Sequence, residues 1–340
     1  MIRFICATLV LVAGLCLGAV LGGIWVWGAL IYVTVFAYGV DRLTPVLLAN
    51  APADAEFPAA DPLSVALALA HLVVLGLAVR SLALSDAPLP EKMALFLAVS
   101  LFAGQVGHPN AHELIHRSGR RLRQLGKLVY ISILMGHHAS SHPLVHHVHV
   151  GTADDPVSAP LGRGFWRFFG RAWLGSFKAG ARAESKRRNA HAQGLHPYVI
   201  YIGGAAAVLG LAFAIAGPGG VLIWIAISGY AQLQIFLSDY VQHYGLRRRM
   251  QENGKPEPVG PEHSWNTPHR FSGALMLNAP RHSDHHTHPA RVYPALQLDP
   301  ETMPTLPYSL PMMAVIALFP PLWRSIMDRR VAMWAPGDTG

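Results

Sequence analysis

Residues Tyr198 to Leu246 read YVIYIGGAAAVLGLAFAIAGPGGVLIWIAISGYAQLQIFLSDYVQHYGL, with no Asp, Glu, Lys or Arg before Asp239. An uncharged apolar run of this kind crosses a bilayer as a helix in about 20 residues. Here the run is long enough to cross twice, and Gly217-Pro218-Gly219-Gly220 in its middle is a turn signal. Two spans are therefore expected, at 198–216 and 221–240, and the second delivers Gln242-His243 at its end.

The rest of the chain follows the same plan. Of its 340 residues, 52% are hydrophobic and only 14% charged, and the mean hydropathy of +0.31 is high for a soluble protein of this size. Apolar runs at 5–22 and 24–40 are separated by the Gly-rich stretch around Gly18 to Gly23, and a further pair falls at 63–84 and 92–110. The expected fold is all-α: one membrane domain over 1–340, with six transmembrane helices in three hairpins and a histidine-rich cap at 111–197 and 241–340. The N-terminal run resembles a secretory signal, but it continues through Trp25 and Trp27 into a second span with no small-x-small site before a soluble domain, so it reads as retained. Both cysteines, Cys6 and Cys16, lie in the first span, which leaves no disulfide framework and no cysteine metal site.

Of the 27 Lys and Arg residues, only Arg80 and Lys92 fall near the loops opposite the termini, so the positive-inside rule places both termini in the cytoplasm. The implied location is a bacterial inner membrane. The net charge of +8 is accounted for by Arg117 to Lys127, Arg163 to Arg188 and Arg247 to Arg249 lying against anionic headgroups, or docking an acidic partner. These runs belong to no nucleic-acid-binding module. Arg120 to Gly136 reads as an amphipathic helix on the membrane surface, Gly164 to Ala190 as an interfacial helix, and 306–327, with four prolines, as interfacial rather than a seventh span.

On the cytoplasmic side lie four histidine clusters: His112-Glu113-Leu114-Ile115-His116, His142-Pro143-Leu144-Val145-His146-His147, His243, and His282-Ser283-Asp284-His285-His286. Spacing of i and i+4 places two imidazoles on one helix face, and a histidine before a His-His pair can aim several nitrogens at a shared point. Nine imidazoles exceed the four to six ligands of one first-row ion, so two ions are expected at His112, His116, His142, His146, His147, His243, His282, His285 and His286. A lone histidine is more often satisfied by a hydrogen bond, which is the reading for His71, His191, His196, His263 and His269; His108, His137, His138, His149 and His288 read as supporting or structural. Glu113, Asp239, Gln242 and Asp284 are candidates for orienting the imidazoles, with Arg117 and Arg281 as partners of these acids. Histidine-bound iron pairs take up O2 and, with electrons supplied from outside, attack unactivated C–H bonds. A site at the membrane boundary admits water-insoluble substrates from the bilayer and electrons from the cytosol.

The motifs HELIHR (112–117), HPLVHH (142–147) with Val148 to Thr152 and Asp155-Pro156, HYGL (243–246) and RHSDHH (281–286) resemble those of the integral-membrane alkane 1-monooxygenases. Relatives that hydroxylate xylene-type methyl groups share them, within the wider membrane fatty-acid desaturase/hydroxylase superfamily. The resemblance covers about Val106 to Pro294 and implies a non-haem di-iron centre on the nine histidines. It also implies a rubredoxin- or ferredoxin-type electron donor, itself reduced by a NAD(P)H-dependent reductase. Asp239-Tyr240-Val241-Gln242-His243-Tyr244-Gly245 stands where alkane hydroxylases read Asn-Tyr-x-Glu-His-Tyr-Gly, and Ser141 replaces the usual Glu before the second cluster. Two carboxylates fewer near the metals bear on the substrate, for which a terminal alkane methyl is the leading expectation. A xylene-type methyl group and a lipid acyl chain are the alternatives, and a membrane metal-handling protein is the alternative outside enzymes.

Overall fold

A computed structural model describes residues 1–52, 55–191 and 194–334; the end of the expected cap at 335–340 and the side chain of His191 lie outside the described residues. Within them the chain is helical, with isolated bridges at Met250–Pro256 and Asn266–Thr305 and no strand.

Five helices are long and apolar enough to cross a membrane: α1 (Ile2–Leu21), α2 (Ile24–Leu43), α3 (Ala60–Leu84), α4 (Leu89–Ile115) and α8 (Pro197–His243). The two spans expected at 198–216 and 221–240 form the single 47-residue α8, interrupted by non-helical backbone at Ala216 and Gly217. Gly217 has a φ of 60°, the left-handed region that glycine enters without a Cβ penalty, and Pro218 cannot donate to the preceding turn. The α1–α2 turn at Gly22-Gly23 uses the same device, with φ of 68° and 57°, and the Gly23 N–H donates to Glu91 at the start of α4, 2.8 Å away. Small residues let these helices approach closely. A Cβ on Gly18 would meet the Val26 backbone at 3.2 Å, so α1 and α2 touch where Gly18 leaves room for Val26.

The cap is made of α5 (Arg120–Ser132), α6 (138–149), α7 (Phe165–His191), α9 (Arg270–Leu275), α10 (His282–Thr287), α11 (Leu310–Ala317) and α12 (Pro320–Trp334). Three contacts run differently from the sequence reading. The C-terminal half of α5 does not lie on a surface: Val129 and Tyr130 are fully buried, and α8 holds the segment by Trp224 Nε1–H to Ser132 O (2.7 Å) and Gln232 Nε2–H to Ile133 O (2.8 Å). Phe165, Phe169 and Trp173 of α7 meet Tyr240, Phe236 and Gln232 of α8, so this helix runs down the side of the span. Among the described residues Arg281 forms no ion pair with an acid; its guanidinium donates to Asn50 Oδ1 and to the carbonyls of Leu47, Ala49 and Leu296, which fastens the segment after α2 to the cap. Asp41, at the end of α2, accepts the backbone N–H groups of Phe271 and Ser272 at the start of α9, a capping bond of about 1 kcal/mol. Residues 306–327 contain α11 and a break before α12, and no spanning helix.

Candidate metal centre

All four histidine clusters meet at one end of the apolar helices. The C-terminal end of α4 brings His112 and His116, α6 brings His142, His146 and His147, the last residue of α8 is His243, and α10 brings His282, His285 and His286. The nine imidazoles divide into two groups. His112, His116, His142, His147 and His285 form one, and His146, His243, His282 and His286 the other; within each, one ring nitrogen per residue lies within 4.8 Å of the rest.

Local backbone explains the division. An α-helix turns about 100° per residue, so residues five apart point roughly 140° away from each other. Residues His142–His146 are instead a π-helical turn in which the His147 N–H donates to the His142 carbonyl. That wider turn stacks His147 over His142, with Nε2 atoms 2.9 Å apart, and leaves His146 to face the other group. In α10, an ordinary i, i+4 pair brings His282 and His286 together (Nε2 to Nε2, 3.1 Å), while His285 reaches back to His147 (3.1 Å). Neither His-His pair therefore aims at one shared point, as spacing alone predicted: each serves both groups. A second π-helical turn, Ala103–Gly107, precedes the last two turns of α4 that carry the first cluster.

These nitrogens fit a metal. Around a first-row ion held at about 2.1 Å, neighbouring nitrogens at right angles are about 3 Å apart. The Nε2 separations are 2.7 Å for His112–His142 and 3.0 Å for His243–His282. Nε2 of His116 and of His146 are buried without a hydrogen-bond partner among the described residues. Burial holds His116 down to about 4 and His282 to about 3, and it drives His142, His147, His285 and His286 well below the ordinary histidine value. The rings are thus neutral at physiological pH, which ligation requires. His146 behaves differently: burial pulls it down, but the Asp155 carboxylate 2.8 Å from Nδ1 outweighs this and raises it.

Asp155 is the contact that the sequence reading missed. Its buried carboxylate takes the Nδ1–H of His146 and also accepts from the Ser158 hydroxyl (2.7 Å) and the Val157 N–H (3.2 Å). That bond fixes the tautomer and turns Nε2 of His146 into its group. The advance signals were the Asp155-Pro156 pair among the motif residues that carry the resemblance and the place of this acid nine residues after His146. The four expected orienting residues are placed close by but contact no ligand imidazole through a hydrogen bond among the described residues. Glu113 binds Arg117 (2.5 Å) and the Tyr293 N–H (3.0 Å); Asp284 binds Arg291 (2.5 Å), His288 (3.0 Å) and the Gln297 N–H (2.9 Å). Gln242 accepts from Ser238 (2.7 Å) and donates to Ala279 O (3.3 Å). Asp239 Oδ2 is buried without a partner and faces, with His138, His142, His146 and Asp155, a void of about 10 Å³, room for about one water.

The other histidines belong to neither group, although His138 stacks on His142 with ring centroids 5.1 Å apart and its Nε2, like that of His137, is buried without a hydrogen-bond partner among the described residues. His71 Nε2 lies 3.1 Å from the Ser132 hydroxyl, His196 accepts the Tyr198 N–H at the start of α8, and His108 Nδ1 is 3.0 Å from the Tyr130 hydroxyl. His263 sits with Glu257 and Glu262 in a third grouping of metal-ligating types. Its Nδ1 accepts the Gly260 N–H (2.8 Å), so a neutral ring carries its proton on Nε2 and gives it to Glu257 (3.2 Å). That is a hydrogen-bonded knot with no lone pair left for an ion. A separate apolar cavity of about 100 Å³ opens between α4, α8 and α11, lined by Leu101, Gln105, Leu237, Met276 and Leu310 among others.

Residues 89–315 match the family described as fatty acid desaturase. Alkane 1-monooxygenase 2 of Pseudomonas aeruginosa is 32% identical over 73% of this chain and 66% of its own length. Alkane 1-monooxygenase 1 of Alcanivorax borkumensis is 35% identical over 72% of this chain and 62% of its own length. The chain thus spans less than two thirds of these relatives. The xylene/toluene monooxygenase hydroxylase component of Pseudomonas putida is 26% identical, over 96% of this chain and 88% of its own length. With its nine imidazoles at the end of apolar helices, the chain belongs to the fatty acid desaturase family, in which it resembles the membrane alkane and xylene monooxygenases.

Proposed function

We propose that this protein is a membrane di-iron monooxygenase that hydroxylates a hydrocarbon, with a terminal alkane methyl as the leading substrate. The observation that carries this reading is the grouping of nine imidazoles into five and four, the two groups abutting where the rings of His147 and His286 are 4.6 Å apart. Two iron ions, one per group, would supply the redox chemistry that inserts an oxygen atom from O2 into a C–H bond, with electrons from a rubredoxin- or ferredoxin-type donor served by a NAD(P)H-dependent reductase.

The chain's own residues do the rest. In the proposal, His112, His116, His142, His147 and His285 hold one ion, and His146, His243, His282 and His286 the other. Asp155 aims His146, Asp239 and Gln242 border the second group, and Glu113 and Asp284 brace the segment 291–297 across the site. The cavity between α4, α8 and α11 supports entry of an apolar substrate from the lipid side. The break at Ala216–Gly217 supports reading α8 as two antiparallel spans, giving six in all. The charge distribution supports termini and site on the cytoplasmic face of a bacterial inner membrane.

One observation favours a second substrate class. The xylene/toluene component aligns over nearly the whole of both chains, which supports a methyl group on an aromatic ring as the alternative. Product analysis by mass spectrometry tests both, using the iron-loaded protein in lipid with a rubredoxin and reductase, labelled O2, and alkanes, alkylbenzenes and acyl lipids. Label in a primary alcohol is the expected result, and the substrate that yields it sets the class. An alkene without label would overturn the monooxygenase reading in favour of desaturation.

A further inference from the structure

At the edge of the cap, the turn leading into α7 and the first turns of α12 enclose an open pocket of about 450 Å³. Three guanidinium groups line it, from Arg163, Arg167 and Arg324. Three other cap arginines are tied to carboxylates: Arg117 to Glu113 and Asp61, Arg187 to Glu184, Arg291 to Asp284. Among the described residues no carboxylate forms an ion pair with Arg163, Arg167 or Arg324. Other unpaired arginines, such as Arg120 and Arg121, stand exposed on α5, whereas these three converge on one hollow. Three like charges around a hollow repel each other, and an anion with several acceptor oxygens relieves that repulsion.

We propose that this pocket binds the phosphate headgroup of an anionic phospholipid, which rests on the reading that the apolar helices cross a bilayer. The pocket lies level with the site end of α8. The Tyr240 hydroxyl donates to the Arg163 carbonyl (2.7 Å), and the Gly162 N–H donates to the Tyr244 hydroxyl (2.8 Å), so residues on either side of His243 hold two residues of the pocket lining. The nearest acid on α12, Asp328, accepts the Tyr244 hydroxyl proton (2.6 Å). The outer rim is apolar. Trp166 is 55% exposed while its Nε1–H donates to Leu318 O, and Phe319 and Leu322 are 58% and 48% exposed beside it. A soluble phosphate would satisfy the arginines and leave this rim in water. A phospholipid satisfies both, its phosphate in the guanidinium forks and its acyl chains along Trp166, Phe319 and Leu322, and this favours the lipid.

The test is native mass spectrometry of the full chain released from nanodiscs of phosphatidylcholine containing graded phosphatidylglycerol. The wild type is expected to retain about one phosphatidylglycerol per chain. R163Q/R167Q/R324Q should weaken that retention at least about tenfold with phosphatidylcholine adducts unchanged, and the single variant R167Q, on an exposed helix face, by a few-fold. The control R120Q/R121Q/R182Q removes the same charge elsewhere and should retain the lipid. Equal retention by the pocket variants, equal loss in the control, or displacement of the lipid by millimolar inorganic phosphate would each overturn the proposal. Failure of the underlying membrane reading looks different: the wild type would stay in solution without detergent and carry no lipid of either kind.

Discussion

The two histidine groups are built from the same elements but not on the same terms. The four-membered group is wholly buried, with His146 backed by Asp155 and His243 near the Ser264 hydroxyl at 3.5 Å. The five-membered group has two members that are only partly buried, His116 and His147, and one imidazole more. One group achieves its geometry by enclosure and an anchored ring; the other by number. Redundancy and enclosure should respond differently to damage, and that difference is measurable.

The largest effect is expected from emptying the enclosed group. His243→Ala leaves three imidazoles there, and we expect iron content to fall by about one ion per chain and hydroxylation to fall at least about 100-fold with helical content retained. His116→Ala, on the open group, leaves four ligands and should keep its ion with weakened affinity. Metal analysis and product yield on both variants check this. Full turnover in His243→Ala would end the nine-ligand reading, and equal metal loss in the two variants would end the comparison.

Acid comes next. Burial holds His282 to about 3, and His116 and the non-ligand His137 to about 4, below the roughly 6.5 of an exposed histidine. Below that value the unfolded chain takes up protons that the folded chain refuses, so stability present at neutral pH is lost as pH falls toward the folded values. The loss is about 1.4 kcal/mol per pH unit for each such ring. His146, raised by Asp155, runs the opposite way and offsets one of them. Thermal melts of the metal-free protein should therefore drop steeply from about pH 7 to about pH 5. A flat profile would mean that these rings are wet, contradicting the enclosure on which the contrast depends.

Asp155→Asn sharpens the comparison further. It keeps the shape but removes the charge that holds His146, and ion affinity of the four-membered group should fall about tenfold while the five-membered group is unaffected. Competition with a chelator, followed by iron analysis, resolves the two sites. An equal effect on both ions would show that Asp155 acts on the whole cap.

Much of this was legible because periodicity and composition survive without contacts. The apolar runs placed α1 to α4 within a few residues of their ends, and Gly217-Pro218 marked the break in α8. The nine histidines were visible as spaced clusters, and they do gather. How they divide was not legible, because a π-helical turn at His142–His146 adds a residue to one helical repeat without changing the pattern of letters. Nor was Asp155, whose role depends on a loop folding back nine residues later. Arg120 to Gly136 read as a surface helix because its first turns are basic; burial of Val129 to Met135 against α8 is a tertiary fact with no local signature.

The smallest effect falls on the third cluster and tests what separates a metal site from a look-alike. His263 has the right neighbours, Glu257 and Glu262, but its Nδ1 is engaged by Gly260 and its Nε2–H by Glu257. The proposed ligands differ in that Nε2 meets Nε2, His112 with His142 at 2.7 Å and His243 with His282 at 3.0 Å. His263→Gln should therefore leave iron content unchanged and lower stability by about 1 kcal/mol, the worth of an ordinary hydrogen bond. A thermal melt and an iron analysis of the same sample decide it. Loss of an iron without loss of stability would mean that the knot opens to bind metal, and that spacing of ligand types outranks the protonation argument used to exclude it.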